Sequence, residues 1–170
     1  METRGLPAQM EKQAGAVSKP AKPHWNERMG AAANARHELP RLVKEYFAHV
    51  RLLLAADPPP PELHVIRLAS KRLRYTLELF RDCYGPGFNT RLESLQQLQQ
   101  LLGEVNDCAA AERLIGELIP KSAARQRYQE YLHRRAGAKA VAVRKEWHES
   151  FDAPGRERWW TAYLAKNARR

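Results

Sequence analysis

Cysteine is almost missing from this 170-residue chain: Cys83 and Cys108 are the only two, and they form no CxxC pair. A disulfide-stapled scaffold is therefore excluded, and a reducing compartment would keep both as thiols. No stretch approaches the roughly 20 consecutive apolar residues of a membrane-spanning helix. The opening segment METRGLPAQMEKQAGAVSKPAKP has no continuous apolar core of the signal-peptide kind. The expectation is a cytoplasmic protein without membrane contact. Phosphate-cradling loops are also lacking, since neither GxxxxGK followed by Ser or Thr nor GxGxxG occurs. His24, His37, His49, His64, His133 and His148 show no zinc-site spacing with other ligands. Phosphoryl chemistry generally needs metal-holding carboxylates or such a loop, so no catalytic residue, metal site or cofactor is expected and the chain does not read as an enzyme. Acidic residues are outnumbered by basic ones. Lys and Arg total 29 against 19 Asp and Glu, a formal net charge of +10 with a pI near 9.9. Such a surface attracts polyanions.

What is present is helical periodicity. A chain of this length suits one domain with a real core. Residues 1–24 mix Gly, Pro, Ala and Lys without apolar period and read as a flexible tail, leaving 25–170 as a single helical domain. From about Asn34 to Ala56, Leu39, Leu42, Val43, Tyr46, Phe47, Val50, Leu53 and Leu54 line one side of a helix, which Asp57 and the four prolines after it terminate. A second helix is expected from about Pro61 to Cys83, with Ile66, Ala69, Leu73, Leu77 and Phe80 inward, stopped by Gly85-Pro86-Gly87. A third begins near Asn89 with Leu92, Leu95, Leu98, Leu102 and Val105 inward. In it Gly103 would permit a close neighbour and Asn106-Asp107 would make a break or a fresh N-cap before Ala109–Leu118. After Pro120 a long helix follows from Leu132, Ala136, Ala140, Val143, Trp147 and Phe151. Pro154-Gly155 then precedes a short segment with Trp159, Trp160 and Tyr163. No segment alternates as a strand does. The fold class is all-α, an antiparallel bundle of about five to six helices.

The polar faces of these helices are informative. His64, Arg67, Lys71, Arg74, Glu78 and Arg81 follow one another at three- and four-residue spacing, so they share one face; His37, Arg41, Lys44, Ala48 and Arg51 do the same on the first helix. Two antiparallel neighbours would each present a basic stripe. Between Tyr84 and Ile119 there are two basic residues against five acidic ones, a net of −3, so positive charge is segregated rather than spread. Like charges at this spacing destabilise an isolated helix by a few tenths of a kcal/mol per pair (~0.2–0.5). A phosphate polymer relieves that repulsion, and Arg can donate two hydrogen bonds to one phosphate. His64 falls in a first turn, where free backbone N–H groups favour anions and phosphate would favour its protonated form. Basic runs on helices are commonly solvated faces, however, and Glu45 and Glu78 are suited to ordinary ion pairs. A nucleic-acid-binding module fits the same charge, although the stripes offer little aromatic surface beyond Tyr75 and no clear helix-turn-helix.

The segment His64-Val-Ile-Arg67-Leu-Ala-Ser-Lys71-Arg72-Leu73-Arg74-Tyr75-Thr-Leu-Glu78-Leu-Phe80 resembles the signature of the CHAD family, the conserved histidine α-helical domain. Leu98-Gln99-Gln100-Leu101-Leu102-Gly103-Glu104-Val105-Asn106-Asp107 resembles its second motif, and the likeness extends over about 34–119 and on toward 165. The resemblance implies two related helical bundles, a basic surface that binds inorganic polyphosphate, and no catalysis. It assigns ligand contact to His64, Arg67, Lys71 and Arg74, to which the helix-face pattern adds Arg41, Lys44, Arg51 and His37. Gly103 and Asn106-Asp107 would be structural, shaping a turn. It also points to polyphosphate granules as a location, and an accessory subunit presenting polyphosphate to a separate enzyme is an alternative role. This chain has one copy of the signature, most like the second half of a full domain, and a homodimer would supply the other by a two-fold axis.

Overall fold

In the computed structural model, residues 23–169 are described. They form five α-helices and no strand: α1 (Ala31–Ala55), α2 (His64–Glu78), α3 (Gly87–Leu118), α4 (Ala123–Glu146) and α5 (Arg156–Lys166). The expected tail, 1–24, lies outside the described residues except for Pro23 and His24. The His24 backbone N–H donates to Glu38 Oε2 (2.9 Å), and the neighbouring Trp25 ring lies 5.1 Å from Phe80.

The apolar stripes are the core, because burying one face of each helix is what offsets the entropy of ordering it. Leu39, Leu42, Val43, Tyr46, Phe47, Val50 and Leu54 of α1 are buried, as are Ile66, Ala69, Leu73 and Leu77 of α2 and Leu92, Leu95, Leu98, Leu102 and Val105 of α3. From α4 onward Leu132, Ala136, Ala140 and Val143 are buried, and the stripe runs on through a π-helical turn, Trp147–Phe151. There Trp147 and Phe151 pack on Phe47 with ring centroids 5.6 and 5.3 Å apart. Gly155 takes φ 86°, a left-handed conformation suited to glycine, and lets the chain reverse into α5.

Three boundaries differ from expectation. The segment expected as one helix over Pro61–Cys83 is a 3-10 turn (Pro60–Leu63), then α2, then a second 3-10 turn (Arg81–Cys83). Proline suits that first turn, and Phe80 leaves helical geometry (φ −107°, ψ 14°) to open the second. Asn106-Asp107 is not a break: α3 runs unbroken from Gly87 to Leu118. An Asn or Asp costs under ~0.7 kcal/mol inside a helix, and Val105 and Cys108, both buried, flank the pair with packing that outweighs it. Gly103 does not admit a close neighbour either, for a Cβ there would meet nothing within 4 Å. Gly87 is tight instead, since a Cβ there would lie 3.0 Å from Tyr163.

The C-terminus is fastened back onto the bundle. The Arg169 backbone N–H donates to Cys83 O, Arg36 to Ala168 O (2.7 Å) and Tyr84 Oη to Leu164 O (2.8 Å). Between α3 and α5, Arg91 lies only 5% exposed, its guanidinium carbon 3.7 Å from the Trp159 ring and 3.8 Å from Tyr163.

Candidate polyanion-binding face

His64 is the first residue of α2. Its Nδ1 lies 2.8 Å from Asn106 Oδ1 on α3. With that oxygen accepting, Nδ1 holds the ring proton and Nε2 is the nitrogen left for a ligand. Asn106, expected to shape a turn, instead orients the histidine. The two motifs are thus one constellation in space.

One turn apart along the same side of α2 stand Arg67, Lys71 and Arg74. The row from His64 to Arg74 extends about 15 Å at the helical rise. Among the described residues Arg67 and Lys71 have no carboxylate partner, whereas Arg74 Nε lies 3.7 Å from Glu78. Tyr75 receives the Arg74 guanidinium 4.9 Å from its ring centre and the Lys71 ammonium at 6.0 Å. These contacts hold the cations near the surface without neutralising them.

The α3 strip beside this row is open. Asn106 faces α2, and Glu104 reaches Lys139 of α4 at 2.5 Å, so Gly103 and Asp107 fall on the helix surface between those contacts. Glu104 is held below the usual carboxylate range by the Lys139 hydrogen bond, against a smaller opposing push from desolvation. Lys139 and Arg135 line the far side, and Arg135 donates to Tyr131 Oη (2.9 Å). The helix-face pattern did not single out Asn106, Arg135 or Lys139 as a set with α2. They are linked through α3, where Asn106 reaches His64 of α2 and Glu104 reaches Lys139 of α4.

The first-helix stripe is placed differently. The expectation of two adjacent basic stripes does not describe the folded arrangement. The side of α1 that meets α2 presents Tyr46, which shares a 2.7 Å hydrogen bond with Ser70, while Arg51 points to the C-terminal segment. There it holds Asp152 at 2.5 and 2.8 Å and Glu157 at 2.6 Å. Arg41 bridges Glu38 and Glu45, each at 2.7 Å, and His37 Nδ1 lies 3.0 Å from Glu38. Lys44 is exposed. Burial pushes the Glu38 carboxyl up, but hydrogen bonds from Arg41, the His24 backbone and His37 outweigh it and hold the group down at about 2. Arg41, Arg51 and His37 are thereby engaged with carboxylates.

Among the described residues no helix is long and apolar enough to cross a membrane. No curated protein and no solved structure matches this chain. A family model does: the CHAD domain, over residues 3–116. The match takes in α1, α2 and nearly all of α3, both motifs included, and starts within residues that lie outside the described ones. The chain belongs to the CHAD-domain family.

Proposed function

We propose that this protein binds inorganic polyphosphate, without chemistry on it, along the face where α2 meets α3. His64, Arg67, Lys71 and Arg74 are the contacts, with Asn106 fixing the His64 ring. The observation that supports this most directly is the unneutralised pair Arg67 and Lys71, flanked by His64 and Arg74 in a single row. A flexible chain with about one negative charge per repeating unit matches such a row and releases its counterions on binding. CHAD membership favours the same ligand. Arg41, Arg51 and His37 take a secondary part, because a phosphate would have to displace the carboxylates that hold them. An accessory role, presenting polyphosphate to a separate enzyme, is compatible with this face.

Nucleic acid is the rival ligand. Competition at fixed salt separates the two: long-chain polyphosphate should displace single-stranded DNA or RNA at equal phosphate concentration. Displacement in the opposite sense refutes the assignment.

A further inference from the structure

The ends of α3 and α4 form a hairpin that leaves the bundle. No residue from 109 to 131 is buried, although Cys108 and Leu132 at its base are. The outer part is held mainly to itself: Ser122 Oγ caps α4 by accepting from the Arg125 backbone (3.1 Å), Arg125 closes the end of α3 through Ile119 O (2.6 Å), and Gln129 donates to Glu112 O (3.4 Å). Such a hairpin is short of apolar contact.

Two ion pairs mark its two sides. Lys139 meets Glu104 on one, and His133 approaches Glu112 (3.7 Å) on the other. Stepping from Glu104 along α3 by sevens reaches Ala111 and Leu118, with Asp107 and Leu114 beside them. Stepping back from Lys139 by helical turns reaches Arg135, Tyr131 and Tyr128. The Lys139 side of the hairpin therefore gathers its large apolar groups: Leu114 is 48% exposed, Leu118 76%, Tyr128 51% and Tyr131 44%. The two tyrosine rings stack at 5.9 Å, making one continuous surface.

The charges on this side are divided by helix. Among the described residues Asp107 on α3 and Arg135 on α4 make no direct ion pair, and Arg135 acts only at longer range on Glu104, which Lys139 already holds. Arg135 lies at the same level as Asp107, since each stands one helical turn beyond the Glu104–Lys139 pair toward the tip. A molecule of net charge +10 repels its own copies over most of its surface. Here, however, it offers an acidic helix beside a basic one, with an apolar seam between them.

We propose that this hairpin face is a self-association surface on which a second copy of this chain docks, α3 of each copy against α4 of the other. A two-fold axis along the hairpin places like levels opposite one another, so that Asp107 of one copy meets Arg135 of the other twice. Leu114, Leu118, Tyr128 and Tyr131 of both copies fill the seam as a four-helix arrangement. A foreign partner would have to match both charge signs and the apolar seam, whereas a second copy does so by symmetry.

Sedimentation equilibrium of the full chain, without polyphosphate, tests this. The wild type should show a monomer–dimer equilibrium. Leu114→Glu with Leu118→Glu should raise the dimer dissociation constant by more than about tenfold while circular dichroism stays helical. Asp107→Arg and Arg135→Asp, two exposed changes that keep the seam, should each weaken self-association, and a mixture of the two should form heterodimers in preference to either homodimer. A monomeric wild type overturns the proposal. So does a dimer indifferent to the leucine pair, or a mixture of the charge variants with no preference for heterodimers. Polyphosphate binding takes no part in the measurement, so the outcome is independent of the ligand assignment.

Discussion

His64 on α2 and Asn106 on α3, separated by 42 residues, are joined by a 2.8 Å hydrogen bond at the start of the basic row. A histidine at a helix N-terminus can rotate among rotamers. One whose Nδ1 is engaged presents Nε2 in a fixed direction, at lower entropic cost when ligand binds. Asn106→Ala should therefore weaken polyphosphate binding roughly threefold to tenfold with little change in helicity, and His64→Ala should weaken it by at least as much. Isothermal titration of both variants and of the double variant checks the coupling. Additive losses would show that Asn106 does not act through His64.

The two basic stripes should differ sharply in consequence. Arg67→Ala with Arg74→Ala should reduce polyphosphate affinity and lower the slope of log affinity against log salt by about one to two units, leaving the helical spectrum unchanged. Arg41→Ala with Arg51→Ala should change the affinity less, yet destabilise the fold, because Asp152, Glu157 and Glu38 lose their partners. Equal effects of the two pairs on affinity would return α1 to the binding face.

Glu38 makes a pH-dependent contribution to stability. Its folded carboxyl is lowered to about 2, from a reference near 4.5, so the stabilisation is present above the reference value and lost as pH falls through the folded one. Glu38 is only 2% exposed, and Glu38→Gln should cost about 1–3 kcal/mol at neutral pH. The difference from wild type should shrink between about pH 4.5 and pH 2, as followed by urea unfolding across that range.

Arg91 tests a different kind of contact. It is held between Trp159 and Tyr163 and donates to Gly87 O (2.8 Å) and Trp159 O (2.6 Å), with no carboxylate partner among the described residues. Burial lowers its pKa to about 10. Arg91→Ala should destabilise by about 2–4 kcal/mol and loosen α5 first, visible as faster amide exchange over 156–166. Arg91→Lys should rescue only part of this, since an ammonium lacks the planar fork and the stacking face.

Gly103 should prove replaceable in the fold. An alanine there meets open space and removes the entropic cost of glycine within a helix, so Gly103→Ala should raise stability by about 0.5–1 kcal/mol. Thermal unfolding decides this. A loss of stability would restore a packing role for the position.

The amino-acid sequence by itself determined the elements that depend on neighbours in the chain. The three-four spacing of Leu, Val and Phe defines the buried face of each helix, because that face is a property of helical geometry alone. The runs around His64 and Asn106 likewise carry the family signature. The tertiary structure decided which cations remain unneutralised. Arg51 and Arg67 are equivalent in local pattern, but Arg51 meets Asp152 and Glu157, 101 and 106 residues further along, while Arg67 meets no carboxylate among the described residues. It also decided that Asn106 orients a histidine rather than breaking a helix. Electrostatic pairing and hydrogen bonding act through space, so they are settled only when distant segments of the chain come to rest against one another.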